Sequence, residues 1–310
     1  MDIQLIDITD LEHPEMSVRF ALARRIGAAC RGIGFFAITG HGVAQAEIHD
    51  AFEIARAAFS LSAAVKGELA IATHGHNRGY VGLGVEALDE RTVPDLKEAY
   101  NLIWTDNVTR PANVWPPIPG WRERAQTYFD AVLAAGQRLH RAFALDLGLE
   151  EAFFDDKVNA PMATLRFLHY PVAHATPESG PVRRAQAGAG THTDYGNVTL
   201  LATDGVAGLQ VRTRDGAWTA APSIPGAFIC NIGDCLMRWS NDVYVSTPHR
   251  VLPPVRERYS IAMFVDPNPD ALVSAIPSCV PAGESPRYAP IAAADYLQQR
   301  FAATYSAQLK

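Results

Sequence analysis

Two histidines and one aspartate occur in an order that could hold a metal ion. Only Thr193 separates His192 from Asp194, so the two side chains would point to the same side of an extended strand. His249 comes much later and joins them only if the chain returns across a sheet or barrel. Two imidazoles and one carboxylate are the ligand set typical of mononuclear non-haem iron(II) sites with open positions. We therefore predict an iron centre at His192, Asp194 and His249.

An Arg-x-Ser pair follows the third predicted ligand. Arg258 and Ser260 would share one face of a strand. A cosubstrate that chelates iron and carries a second carboxylate needs a bidentate cation at its far end, and arginine has that geometry. Arg238 and Ser240 have the same spacing but precede His249. The formal charges of iron(II), one aspartate, a dicarboxylate and one arginine cancel, which avoids the cost of an uncompensated buried charge.

Several segments together resemble the Fe(II)/2-oxoglutarate-dependent dioxygenases of the isopenicillin N synthase-like family. They are 34–43, 147–149, 168–171, 192–196, 208–211, 231–234 and 249–260, and they extend over nearly the whole chain. In combination these motifs are specific for the family, although they say little about the substrate. The resemblance implies a mainly β fold with flanking helices and a double-stranded β-helix (jelly-roll) core.

The same resemblance implies an oxygenase that uses Fe(II), 2-oxoglutarate and O2. The far carboxylate of 2-oxoglutarate would lie on Arg258 and Ser260, with Tyr170 as a further contact. Leu168 stands where plant relatives have an asparagine, so the hydrogen bonding to the cosubstrate is expected to be thinner here. The reaction would hydroxylate or desaturate a small metabolite and release succinate and CO2. Asp194 argues against halogenation, because halogenating relatives lack that carboxylate.

Two alternatives stay open at this stage. One is an iron oxidase of the same fold that does not use 2-oxoglutarate, since some such relatives keep both the arginine and the serine. The other is a non-catalytic sensor that binds a small ligand in a degenerate barrel. Succinate formation that depends on 2-oxoglutarate separates the first alternative from the oxygenase. An absence of turnover across a broad metabolite screen would favour the second.

Composition argues against several other classes of protein. The net charge of −6 and the pI near 5.9 do not favour a nucleic-acid partner. No apolar run approaches the roughly 18 residues of a membrane span, and the first residues lack the features of a signal peptide. The four cysteines form no Cys-x-x-Cys pair, and most of them are expected to be free, buried thiols. We expect a cytoplasmic protein with a small-molecule substrate and no obligate protein partner.

The resemblance, together with the periodicity of the chain, implies one catalytic domain over 1–310. Within it we expect a helix and strand region at 1–118, a long helix at 119–150, a jelly-roll core with the iron site at 160–268, and a C-terminal segment with a capping helix at 269–310. Shorter helices are predicted at 17–30, with Ser17 as N-cap, and at 45–61. The stretch 174–189, rich in proline, alanine and glycine, is expected to be a lid.

Three residues are candidate substrate contacts. Arg166 would point inward, where a buried cation needs either a structural ion pair or a substrate carboxylate or carbonyl. Tyr80, in a glycine-rich loop, either reaches the substrate or packs on the barrel wall. Phe264 continues the face of Arg258 and would form an apolar wall of the pocket. Asn231, in the segment 231–234, is interpreted as a turn residue.

Overall fold

The computed structural model describes residues 3–86, 95–106, 108–172 and 187–306, with the backbone alone for 301–306. The strands in this part of the chain are β1 (Gln4–Asp7), β2 (Phe35–Thr39), β3 (Gly79–Val81), β4 (Glu98–Ile103), β5 (Thr164–Tyr170), β6 (Ala189–His192), β7 (Val198–Thr203), β8 (Leu209–Arg212), β9 (Trp218–Ala220), β10 (Phe228–Ile232), β11 (His249–Val251), β12 (Arg258–Val265), β13 (Leu272–Val273) and β14 (Ile291–Ala292). The helices are α1 (Met16–Gly32), α2 (Gln45–Phe59), α3 (Ala63–Glu68), α4 (Ile71–His74), α5 (Trp121–Asp146), α6 (Asp234–Trp239) and α7 (Ala293–Ser306).

Two sheets carry the fold. The larger has eight strands in the order β1-β2-β10-β7-β12-β5-β4-β3, and the smaller has four in the order β6-β11-β8-β9. All pairings in these sheets are antiparallel except that of β1 with β2. This sheet-rich architecture with flanking helices confirms the predicted jelly-roll fold.

Strand alternation divides the core into two clusters. On β5 and β12, side chains such as Phe167 and Met263 join the larger cluster, which also contains α1, α2 and α5. The next residues along each strand, such as Leu168 and Ala262, face the opposite side and belong to a smaller cluster that includes residues of the four-stranded sheet. The long strands therefore have an outer face covered by helices and an inner face directed at the second sheet.

Several local predictions differ from the structure. Helix α1 begins at Met16 with Glu15 as N-cap, so Ser17 lies inside the first turn rather than capping it. Helix α2 ends at Phe59, two residues before the predicted end at 61. The predicted glycine-rich loop contains strand β3, which pairs with β4. Most of the predicted lid at 174–189 falls outside the described residues, and β6 begins at Ala189.

Two further observations concern the cysteine side chains and the helices. All four cysteines are free and buried, as predicted for most of them. Across the described ranges, no helix has both the length and the apolar character that crossing a bilayer requires.

Candidate metal centre

The two predicted histidine ligands face each other across a strand pair. His192 is the last residue of β6 and His249 is the first of β11, and the register of the two strands places them opposite one another. Their ring centroids are 4.3 Å apart. Directly opposed residues in an antiparallel pair have side chains on the same face. The long sequence separation is therefore closed by strand pairing, as predicted.

Asp194 reaches the histidines from a turn, not from the strand as predicted. Strand β6 ends at His192, and the following turn is held against the start of α6 by backbone hydrogen bonds. Asp234 N donates to the Asp194 carbonyl at 2.8 Å, and Gly233 N donates to the Asn197 carbonyl at 2.9 Å. These bonds between backbone atoms place the Asp194 carboxylate beside the imidazoles.

The donor atoms of the three side chains converge. Asp194 Oδ1 lies 3.8 Å from His192 Nε2 and 3.6 Å from His249 Nε2, and the donor atoms of the group lie within 4.8 Å of one another. Each imidazole also donates from Nδ1 to the carbonyl two residues earlier in the chain, that of Gly190 at 2.7 Å and that of Thr247 at 3.1 Å. A proton held at Nδ1 leaves the Nε2 lone pair directed at the shared space.

Two further side chains orient the carboxylate. Asp194 Oδ2 accepts hydrogen bonds from the Thr199 hydroxyl at 2.5 Å and from Asn231 Nδ2 at 2.7 Å. Asn231 was expected to be a turn residue, but it lies in the buried strand β10. An asparagine inside an otherwise apolar strand must find a hydrogen-bond partner, and that requirement is the signal in the sequence that could have identified it.

The electrostatics of the group suit a cation. Burial, reinforced by the neighbouring His249, lowers the pKa of His192 to about 3. Burial acts to raise the pKa of Asp194, but the two imidazoles and Asn231 outweigh it and hold that pKa below its usual range. Burial acts to lower the pKa of His249, and the carboxylate of Asp194 raises it instead. A deprotonated carboxylate beside imidazole lone pairs is the form in which these residues bind metal.

A cavity of about 220 Å³ opens beside the three donors, between the two sheets. Inward-facing residues of β5 and β12 form much of its wall: Thr164, Arg166, Leu168, Tyr170, Arg258, Ser260, Ala262 and Phe264. The predicted alternation along these two strands therefore holds. Further lining residues that were not singled out from the sequence are Asn77, Lys97, Asn101, Thr199, Asp266 and Leu297.

Arg258, Ser260 and Tyr170 meet at one end of this cavity. The Arg258 side chain is almost completely buried, with 1% of the residue exposed. Its Nη1 donates to Ser260 Oγ at 3.2 Å, its Nε donates to the Val206 carbonyl at 3.2 Å, and its guanidinium lies 4.8 Å from the centre of the Tyr170 ring. No acidic side chain in the described ranges forms an ion pair with Arg258. A buried cation among neutral partners fits an anionic ligand such as a carboxylate.

The three candidate substrate residues occupy different positions. Arg166 and Phe264 line the cavity, and Arg166 also forms an ion pair with Glu86. Tyr80 does not line the cavity, so of its two predicted alternatives the structure shows packing on the barrel wall. Val81 belongs to the inner cluster, so strand alternation directs Tyr80 to the other face. There its hydroxyl donates to Glu98 at 2.5 Å, and its ring packs against the larger core.

Comparison with known proteins agrees with this geometry. Residues 3–118 match the profile described as non-haem dioxygenase in morphine synthesis N-terminal, and residues 162–267 match that of the 2OG-Fe(II) oxygenase superfamily. The chain is 33% identical to the 2-oxoglutarate-Fe(II) type oxidoreductase hxnY of Emericella nidulans, over 97% of this chain and 90% of that protein. It is 32% identical to a homoarginine-6-hydroxylase of Oryza sativa, over 89% of each protein.

A solved structure shows the same similarity. The crystal structure of a full-length Neurospora crassa protein in complex with alpha-KG and thymine superposes with a TM-score of 0.88, at 33% identity, over 98% of this chain and 97% of that one.

Proposed function

Because the chain belongs to the 2OG-Fe(II) oxygenase superfamily, as a protein of the isopenicillin N synthase-like type, we propose that His192, Asp194 and His249 hold its iron(II). The enzyme is an oxidoreductase that uses Fe(II), 2-oxoglutarate and O2. The observation that carries the residue assignment is the convergence of two Nε2 atoms and one carboxylate oxygen at the wall of a cavity. This donor set fits a metal that needs open coordination positions on one side.

The cosubstrate is assigned to the other end of the cavity. Arg258 and Ser260 bind the far carboxylate of 2-oxoglutarate, and the ring of Tyr170 packs against the guanidinium. The charge of the buried Arg258 is thereby compensated by a ligand rather than by a protein carboxylate. Ser260 and Val206 hold the guanidinium in place before the ligand arrives, which reduces the entropy that is lost on binding.

The chemistry divides between the bound groups and the protein. Bound iron(II) supplies the activation of O2, through which 2-oxoglutarate gives succinate and CO2 while a substrate C–H bond is oxidised. The chain's own residues keep the donor atoms aligned, through Thr199 and Asn231 at the carboxylate. Phe35 packs edge-on against His249 with ring centroids 5.4 Å apart and excludes water from that side.

The substrate class proposed is a small molecule that is hydroxylated or desaturated. The relatives support this class, since one is named as a homoarginine hydroxylase and another binds thymine. A metabolite panel scored by succinate release tests it. Turnover that is independent of 2-oxoglutarate would indicate the oxidase alternative, and no turnover with any compound would indicate a sensor.

Substitution of Arg258 tests the cosubstrate site. Arg258→Gln removes a buried charge that pairs with a carboxylate, which is worth about 2–5 kcal/mol, so the Kd for 2-oxoglutarate should rise at least about 30-fold. The KM for the substrate should change far less. Arg238→Gln is the matched control, because this second Arg-x-Ser arginine donates to the Ala289 carbonyl and does not line the cavity. Calorimetric titration of 2-oxoglutarate into the Fe(II) protein without oxygen measures both variants. An unchanged Kd in Arg258→Gln would remove Arg258 from this role.

Substitution of Asp194 tests the metal site. Asp194→Ala should fold but lose bound iron and succinate release together, because the only anionic donor of the group is removed. Iron content and circular dichroism of the purified variant measure the two properties. Stoichiometric iron with wild-type succinate release in this variant would refute the assignment.

Two broader expectations from the sequence stay proposals. One is a cytoplasmic location, which fractionation of cells expressing the tagged protein tests. The other is the single catalytic domain over 1–310 with its internal divisions, which predicts one cooperative unfolding transition seen by more than one probe.

A further inference from the structure

The register of the large sheet arranges the cavity wall in rows. Asn101 on β4 pairs with Arg166 on β5, which pairs with Ala262 on β12, which pairs with Leu201 on β7. With strands about 4.8 Å apart, Arg166 and Leu201 are roughly 10 Å from each other. Thr199, which bonds the metal-binding carboxylate, lies next to Leu201 on the same face. The Asn101–Arg166 pair is therefore within the length of one small molecule of the metal centre.

The residues assigned to the cosubstrate lie in the next two rows of the same wall. Leu168 pairs with Ser260 in that row, and Tyr170 pairs with Arg258 beyond it. The guanidinium of Arg258 thus lies two rows away from the polar groups at Asn101 and Arg166 along the strands. A ligand at Asn101 and Arg166 is therefore additional to the cosubstrate.

Two buried polar atoms of this pair have no hydrogen-bond partner among the described residues: Asn101 Oδ1 and Arg166 Nε. Asn101 is 2% exposed. Its amide orientation is set by Asn77, whose backbone carbonyl and side-chain oxygen both face Asn101 Nδ2, at 3.5 and 3.1 Å. Two acceptors require the NH2 group on that side, so the oxygen is the atom left over. An unmade hydrogen bond of this kind costs about 1–3 kcal/mol, and a ligand that supplies one donor and one acceptor removes the cost at both atoms.

The charges around the pair distinguish it from Arg258. Arg166 forms an ion pair with Glu86, Lys97 lies 3.5 Å from Glu86, and Lys97 also pairs with Asp95. Burial acts to raise the pKa of Glu86, but Arg166 and Lys97 outweigh it, so Glu86 stays ionised. Two cations thus face two carboxylates. A neutral polar group suits this environment better than a second carboxylate does, because an added anion would be left without compensation.

We propose that Asn101 and Arg166 bind an uncharged amide-type edge of the substrate, as found in a lactam or cyclic ureide. The ligand N–H donates to Asn101 Oδ1, and the ligand carbonyl accepts from Arg166 Nε. The remainder of the substrate lies over Ala262, whose small side chain leaves room on the row, with Phe264 and Leu297 as apolar walls. The substituent to be oxidised points toward Thr199 and the metal ligands. This inference rests on the proposed function, because it names the substrate class of the same cavity.

A matched set of ring compounds tests the proposal on the Fe(II) protein with 2-oxoglutarate bound and oxygen excluded. The probes are 4-methyl-2-pyridone and thymine as N–H compounds, their N-methylated derivatives, and 3-methylbenzoate as the anion. Each N–H compound should bind about tenfold tighter than its N-methylated form, the equivalent of one hydrogen bond, and tighter than the benzoate. Tighter binding of 3-methylbenzoate, or equal binding of N–H and N-methyl forms, would overturn the proposal.

A substitution then assigns the preference to Asn101. Asn101→Leu keeps the volume and removes the acceptor, so it should abolish the preference for N–H over N-methyl compounds. The Kd for 2-oxoglutarate should stay within about twofold, because the cosubstrate site is separate. Asn113→Leu is the control, since Asn113 bonds Arg78 and Ile103 and does not line the cavity. If Asn101→Leu does not fold, the probe comparison on the wild-type enzyme still decides. If the wild-type protein did not bind 2-oxoglutarate, the proposed function itself would be refuted. Failure of the substrate proposal and failure of the proposed function are thus distinguishable.

Discussion

Each ligand of the metal centre is held by a second group at its far side. The histidines donate to backbone carbonyls, whereas the carboxylate depends on two side chains, Thr199 and Asn231. A substitution at the partner residue leaves its backbone carbonyl in place, whereas it removes a side-chain hydrogen-bond donor. The orientation of Asp194 is therefore the part of the centre most sensitive to a change in a residue that does not itself bind metal.

The substitution Thr199→Val isolates this effect. It preserves shape and removes the hydrogen bond to Asp194 Oδ2, so the affinity for Fe(II) should fall about 10- to 100-fold. Thr203→Val on the same strand is the control, because the Thr203 hydroxyl bonds only Ser223 among the described residues. Metal titration measures the affinity of each variant, and thermal melts report whether each one folds. Equal Fe(II) affinity in the two variants would show that Asn231 alone orients the carboxylate.

Two arginines on neighbouring strands of one wall have opposite charge environments. Arg258 meets neutral protein groups, whereas Arg166 is compensated by Glu86. In the proposed arrangement, the unpaired Arg258 therefore selects an anion at one end of the cavity, whereas Arg166, already paired with Glu86, selects a neutral acceptor at the other. The order of the two ligands in the cavity follows from which guanidinium lacks a protein carboxylate.

At the scale of elements, helix α7 is attached to the segment 192–194, which carries two of the metal ligands, through Asp234. Arg300 Nη2 lies 2.8 Å from Asp234 Oδ2. The hydroxyl of Thr193, which lies between His192 and Asp194, donates to the same oxygen at 3.1 Å. Leu297 of this helix lines the cavity. We propose that these contacts of Arg300 and Leu297 hold the C-terminal helix in the capping role predicted for it.

Loosening this attachment should affect substrate binding more than cosubstrate binding. The Arg300 side chain is 40% exposed, so its ion pair is worth about 1 kcal/mol or less, and Arg300→Gln should raise the substrate KM by at most about fivefold. Arg287→Gln is the control, since it removes an ion pair with Asp242, and neither residue lines the cavity. Steady-state kinetics with each substrate varied in turn separates the two effects. A larger change in the 2-oxoglutarate KM would contradict this view of α7.

Helix packing gives a second prediction at this scale. A Cβ added at Gly27 of α1 would lie 2.0 Å from Asp146 Cγ of α5. Asp146 cannot retreat easily, because it is buried and bonded to Arg31 and Tyr244, each at 2.7 Å. Alanine in a helix normally gains about 1 kcal/mol over glycine, but overpacking costs about 1–3 kcal/mol. Gly27→Ala should therefore lower the free energy of unfolding, measured by urea titration.

Gly67→Ala provides the comparison for that prediction. Gly67 lies in α3, and apart from its chain neighbours and the helix backbone no described atom lies within 4 Å of the added Cβ. This variant should be neutral or more stable by up to about 1 kcal/mol. Stabilisation in both variants would show that α1 and α5 can separate without cost.

The sequence predicted the residues that alternate along long strands and missed those that depend on short elements. Alternation over the long strands β5 and β12 correctly directed Arg166, Arg258 and Phe264 inward. Strand β3 has three residues, too few to reveal which face is buried, so the sequence left open whether Tyr80 reaches the substrate or packs on the wall. Asn101 and Leu297 enter the cavity from separate elements, and only tertiary packing brings those elements to it.

At the scale of the whole molecule, one buried histidine links helix α5 to the turn that carries Asp194. His140 of α5 donates from Nδ1 to the Gly136 carbonyl at 2.8 Å, and its Nε2 accepts from Asn197 Nδ2 at 3.0 Å. Asn197 in turn accepts from Gly233 N beside the Asp194 turn. With the Asn197 amide in this orientation, a proton on His140 Nε2 would face an N–H donor, so the arrangement requires the neutral imidazole.

This requirement makes the fold acid-sensitive in a defined range. Burial lowers the pKa of His140 to about 4, from 6.5. Between those values the unfolded chain binds a proton that the folded protein does not. The contribution of His140 to the free energy of unfolding is therefore fully present above pH 6.5, and it falls by about 3 kcal/mol as the pH drops toward 4. Urea titrations at pH 7, 5.5 and 4.5 should show a flatter dependence for His140→Gln than for the wild type. His74→Gln, at an exposed histidine, should keep the wild-type slope. Identical slopes in all three proteins would place the acid sensitivity outside the contact between His140 and Asn197.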